Sequence, residues 1–120
     1  MVQVLNKNQL ESILTGIQND DYYTTFIQKL THLSFGLAKF HCFADGNKRE
    51  AIIIPTYFLE LNGYENISKK FIKYMENIIV YVADGIISKE LLQDIFDVYI
   101  QDDFENEDIK FKIYKAIDKI

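Results

Sequence analysis

Apolar residues recur along most of this chain at spacings of three and four, the period of a helix with one buried face. Only Val2-Gln3-Val4-Leu5 alternates, which predicts a short extended piece. Asn8 followed three residues later by Glu11 resembles a capping box and predicts a helix from Gln9 to about Ile17. Asn19-Asp20-Asp21 predicts a turn. A long helix is expected over about residues 22–40, with Phe26, Leu30, Leu33, Leu37 and Phe40 on or near one face. Residues 43–46 break the pattern as a loop, and a third helix is expected over residues 47–61, ended by Asn62-Gly63. The middle of that helix is apolar on nearly every side, so it should be central and buried, with a kink at Pro55. A fourth helix over residues 68–83 stops at Asp84-Gly85, and Ser88 caps a fifth that runs to about Asp102. An acidic patch, residues 102–108, leads to a last helix over residues 109–119. Helices joined by short loops predict an all-α bundle, and nothing resembling a linker or repeat divides residues 1–120, so one domain is expected.

Composition narrows the function classes. A hydrophobic content of 48% with 14% aromatic excludes a disordered chain. The single cysteine, Cys42, excludes an internal disulfide framework and a multi-cysteine zinc site, and is read as a small buried residue. No basic stretch precedes an apolar one in the manner of a secretory signal, and the apolar runs are too short to span a bilayer. A cytoplasmic protein without membrane association is expected. The net charge of −5 argues against direct nucleic-acid binding by phosphate neutralisation. Of the 13 basic residues only Arg49 is arginine, the side chain that presents a planar fork to phosphate or carboxylate.

Arg49 falls in the stretch where potential chemistry is densest, His41-Cys42-Phe43-Ala44-Asp45-Gly46-Asn47-Lys48-Arg49. A helix opening there offers free backbone N–H groups and the positive end of its dipole. Gly46 permits close approach of a ligand to the backbone, and Asn47, Lys48 and Arg49 add donors and charge, which together make a phosphate cradle. Asp45 stands where a carboxylate can hold Mg²⁺ beside phosphate oxygens, and His41 is a candidate general base for a hydroxyl. Taken singly, each has a plainer reading: a helix-end histidine, a turn, an N-cap, solvated cations. Their convergence within nine residues favours the functional one. His32 has no such company and is read as structural or surface.

The stretch resembles the signature of the Fic/Doc family, His-x-Phe-x-Asp/Glu-Gly-Asn-x-Arg, at all six specified positions: His41, Phe43, Asp45, Gly46, Asn47 and Arg49. Lys48, the Phe-Leu-Glu-Leu-Asn-Gly ending at Gly63, and Val82-Ala83-Asp84-Gly85 with Ser88-Lys89-Glu90-Leu91 resemble the Doc, or death-on-curing, branch. The resemblance covers roughly residues 25–96. It implies the compact α-helical Fic/Doc bundle, with the motif loop between two central helices. It implies His41 as the base acting on a protein hydroxyl, Asp45 as the Mg²⁺ ligand, and Gly46, Asn47, Lys48 and Arg49 as the site for the phosphates of ATP, with Phe43 packed inward.

Two departures from AMP-transferring Fic enzymes bear on the reaction. Those enzymes carry a second arginine three residues after the first, where this chain has Ile52. They also have glycine where this chain has Lys48. Doc toxins share both features, which implies transfer of the γ-phosphate of ATP to a Thr or Ser hydroxyl of a protein such as elongation factor Tu. A third difference is Glu50, where Doc toxins usually have Thr. Self-restrained Fic enzymes carry a Ser/Thr-x-x-x-Glu-Gly/Asn helix. Here Glu65-Asn66, Glu76-Asn77 and Glu105-Asn106 are preceded by Leu61, Ile72 and Gln101 instead, so restraint by an antitoxin in trans is expected. Protein AMPylation of Tyr, Thr or Ser, and a catalytically weak Fic scaffold serving as an interaction module, stand as alternatives. A flap that clamps the target precedes the motif in this family; residues 19–25 supply it or simply start a helix.

Overall fold

Short-range signals fix where several of the helices begin and end. The computed structural model describes residues 7–20, 25–40 and 47–119. Its helices are α1 (Lys7–Gln18), α2 (Phe26–Lys39), α3 (Asn47–Leu61), α4 (Ser68–Ala83), α5 (Lys89–Tyr99) and α6 (Glu107–Asp118), with a 3-10 turn at Glu65–Ile67 before α4. No strand occurs among the described residues, so the fold is all-α as expected. Thr25 opens α2: its hydroxyl accepts from Gln28 N–H at 3.1 Å, and the Gln28 side chain accepts from Thr25 N–H at 3.2 Å. That reciprocal pair satisfies two backbone donors and replaces the earlier start expected near residue 22. Asn8 lies inside α1, so it is helical rather than the N-cap its spacing from Glu11 suggested. Asn106 caps α6 by accepting from Ile109 N–H at 3.0 Å. Glu107 and Asp108 therefore belong to the first turn of a helix, where negative charge is favoured, and not to a loop.

The helix ends have a common device. Gly63 and Gly85 take φ of +90° and +79°. At each, the next residue's N–H reaches back five positions: Tyr64 to Leu59 O at 3.0 Å, and Ile86 to Tyr81 O at 2.8 Å. Asp102, at φ +63°, does the same for α5, with Asp103 N–H donating to Val98 O at 3.0 Å. The fifth helix thus ends at Tyr99, three residues short of the expected boundary, because the chain turns left-handed at a residue that is not glycine.

α2 is the hub, packed against α1, α3, α4 and α5. Leu30, Leu33 and Leu37 from it, Phe71 and Met75 from α4, and Leu92, Ile95 and Phe96 from α5 are fully enclosed. Phe71 and Phe96 meet with ring centres 5.5 Å apart. Phe40, expected on the buried face, is 45% exposed as the C-cap of α2. α3 packs against α2, α4 and the 3-10 turn, burying Ala51, Ile52 and Leu59. Contrary to the expectation of burial all round, Ile53 and Tyr57 are exposed, because α3 has neighbours on one side only among the described residues. α3 continues through Pro55, which cannot donate to the carbonyl of Ala51. The extended piece at residues 2–5 and the motif residues His41, Cys42, Phe43, Asp45 and Gly46 lie outside the described residues.

Candidate functional site

The end of α2 and the start of α3 bracket the motif segment. The last turn of α2 carries Lys39, and Phe40 closes the helix by donating its N–H to Gly36 O at 3.1 Å. α3 begins at Asn47, which places Lys48 and Arg49 in its first turn, where backbone N–H groups have no intrahelical acceptor. Both side chains are exposed, and among the described residues neither forms an ion pair. Glu50 follows, half-buried. Successive helix positions turn by about 100°, so the three charges fan around the helix start instead of stacking on one face.

Ile52, three residues beyond Arg49, is 8% exposed and part of the core, and its carbonyl accepts from the Thr56 hydroxyl at 2.7 Å. A side chain at this position is committed to packing. Lys48 and Arg49 thus share the first turn of α3. Of Asn47, the backbone place at the opening of α3 is described. His41, Asp45 and Gly46 fall outside the described residues, and no group of three His, Cys, Asp or Glu side chains with metal-holding geometry occurs among those described.

The surroundings of the α2 terminus add two basic groups. A Cβ placed on Gly85 would lie 3.2 Å from Lys39 Nζ, so the α4 end turn closes against the ammonium group that precedes the motif. One helical turn pair upstream, Lys89 Nζ lies 3.1 Å from His32 Nδ1, linking α2 to the first turn of α5. Burial, and then the Lys89 charge, hold the His32 pKa below its ordinary value. Its role is structural, in line with its isolation in sequence. At the other end of α2, Lys29 Nζ donates to Ile17 O and to Asp20 Oδ1, each at 2.6 Å, tying the turn after α1 to α2. Of the suggested flap, Thr25 serves as the N-cap of α2, and residues 21–24 lie outside the described residues. The Thr25–Gln28 pair is legible in the sequence as a Thr-x-x-Gln signal.

The Fic/DOC family model matches residues 6–59. That span takes in α1, α2, the motif segment and most of α3, and it supports the Fic/Doc resemblance carried by the nine-residue motif. The Fic/DOC family generally includes transferases. No curated protein and no solved structure matches the chain. No helix among the described residues is long and apolar enough to cross a membrane.

Proposed function

We propose that this chain is a Fic/DOC-family, Doc-like toxin that transfers the γ-phosphate of ATP to a Thr or Ser hydroxyl of a protein target such as elongation factor Tu. The observation that carries the choice of γ-phosphate is the contrast within α3. Lys48 and Arg49 are exposed at the helix start, whereas Ile52 is buried in the core and offers no second cation for the distal phosphates. Gly46, Asn47, Lys48 and Arg49 bind the phosphate being transferred through backbone N–H groups and paired positive charge. His41 accepts the proton of the target hydroxyl as its oxygen attacks the γ-phosphorus, and the bond from that phosphorus to the bridging oxygen breaks to release ADP. Asp45 holds Mg²⁺, which supplies neutralisation of phosphate charge when bound. With no Ser/Thr-x-x-x-Glu-Gly/Asn helix in the sequence, an antitoxin protein restrains the activity in trans.

The test is incubation of the purified chain with Mg²⁺, a bacterial lysate and ATP labelled at either the γ- or the α-phosphate, with His41→Ala as control. A His41-dependent protein band with γ-label alone is expected. A band with α-label overturns γ-transfer in favour of AMP transfer. No transfer of either label by chain free of a bound inhibitor overturns the enzyme reading in favour of an interaction module.

A further inference from the structure

A basic groove runs between the second half of α6 and the turn that joins α4 to α5. Its volume is about 590 Å³. One wall is Lys112, Lys115 and Lys119 of α6. The floor is Ile86, Leu91 and Ala116, all half-buried. Gly85 and Ser88 complete the lining. Among the described residues no carboxylate lines this groove, in a chain with 18 acidic and 13 basic residues.

The three lysines recur at i, i+3 and i+7, so they share one face of α6 over about 10 Å of its length. A cation in the last turn of a helix complements the helix dipole. That accounts for a lysine at the end of α6, but not for a row that reaches back to Lys112. Lys115 and Lys119 form no ion pair among the described residues, and Lys115 Nζ lies 5.6 Å from the centre of the Phe111 ring. Lys112 meets Asp94 at 3.3 Å, with both side chains about half exposed.

The chain has no acidic segment to spare for these lysines. Of the residues outside the described set, only Asp21 and Asp45 carry a carboxylate side chain. The acidic stretch after α5 is engaged where it stands. Asp102 pairs with Lys70 at 2.9 Å, Asp103 accepts from Asn106 at 2.7 Å, and Glu105 pairs with Lys110 at 3.0 Å. A second copy carries the same net charge of −5, which opposes self-association at this face.

We infer that the groove docks an acidic amphipathic helix of a partner protein. Carboxylates at i, i+3 or i+4, and i+7 of a helix laid along α6 repeat at the interval of the lysines. Apolar side chains beside them meet Ile86, Leu91 and Ala116, as in other helix-in-groove contacts. The three lysines, Gly85 and Ser88 are exposed, so the groove is open along its length and suits a chain segment better than an enclosed small molecule. A Cβ on Gly85 would lie 3.2 Å from Lys39 Nζ, so the docked partner sits beside the end of α2 that leads into the motif segment. The inference does not rest on the catalytic reading.

Fluorescence anisotropy of a labelled amphipathic peptide, with glutamate on one face and leucine on the other, reads docking to the full chain. Lys115→Glu with Lys119→Glu reverses the row and keeps the Lys112–Asp94 pair. Lys69→Glu with Lys73→Glu makes the same change of charge on α4. All four positions are exposed, so the variants fold, and circular dichroism checks this. The α6 variant is expected to bind at least about tenfold more weakly, and the α4 variant within about twofold of the unaltered chain. A peptide with glutamine for glutamate should lose affinity for the unaltered chain, and one with lysine for glutamate should gain it for the α6 variant. No binding of the glutamate peptide, equal binding by the α6 variant, or an equal loss in the α4 variant overturns the inference. Inorganic triphosphate that binds with the same lysine dependence, where the peptide does not, overturns it in favour of a phosphate ligand.

Discussion

Gly36 stands where α1 and α2 cross, and replacing it with alanine sets two effects of known sign against each other. A Cβ on Gly36 would lie 2.7 Å from both Cγ1 and Cδ1 of Ile13 and 3.4 Å from its Cγ2. Carbon atoms pack best at about 3.5–4.0 Å, so the two helices must separate or Ile13 must leave its rotamer. Ile13 is 2% exposed and β-branched, which leaves it little freedom to yield. Helix propensity alone favours alanine over glycine by about 1 kcal/mol. Overpacking a core costs about 1–3 kcal/mol. With two atoms in hard overlap the cost falls toward the upper end, so Gly36→Ala is expected to destabilise the chain by about 1–2 kcal/mol.

The decisive measurement is a double-mutant cycle in urea followed by far-ultraviolet circular dichroism. Ile13→Ala by itself is expected to cost about 2–5 kcal/mol. In that background the new methyl group enters vacated space, and Gly36→Ala becomes stabilising by about 1 kcal/mol. The two backgrounds should therefore differ by about 2–3 kcal/mol in their response to the same change. Stabilisation by Gly36→Ala in the unaltered chain, or an equal response in both backgrounds, refutes the packing account of the α1–α2 crossing.

Thr25→Ala removes the hydroxyl that caps α2 and should lower stability by about 1 kcal/mol, read as a shift of the urea midpoint without a change in slope. Replacing both Lys48 and Arg49 by alanine should weaken binding of ATP by at least about tenfold in calorimetry while leaving the urea midpoint within about 0.5 kcal/mol, since both side chains are exposed. His32 has a folded pKa below its unfolded value, so the folded protein resists a proton that the unfolded chain accepts. Stability is then level above neutral pH and declines as pH falls below about 6.5 toward the folded pKa, and His32→Gln should flatten that decline.

Much of the fold was written in local sequence. α4 and α3 occupy the spans their apolar spacing and their Asn62-Gly63 and Asp84-Gly85 stops predicted, because glycine at φ near +80° to +90° is a local requirement visible in the chain. The end of α5 was misread because Asp102 performs the same turn without glycine's signature. The starts of α2 and α6 were misplaced because Thr25 and Asn106 were read as parts of a flap and a loop, although each caps the turn that follows it. Within the candidate site, the grouping of Lys48 and Arg49 at a helix start follows from short-range order alone, since a helix beginning at Asn47 carries both in its first turn.

What sequence could not decide is which apolar residues find a partner. Periodicity marks α3 as apolar on nearly every side, but only the tertiary arrangement turns Ile52 into the core and leaves Ile53, Tyr57 and Leu61 bare. Local rules likewise give α4 and α6 similar apolar spacing, while only the tertiary arrangement docks α6 on α5 and, among the described helices, on no other. The reason is physical: capping, turns and helical period depend on atoms a few residues apart, whereas burial depends on which distant helix arrives at a given face.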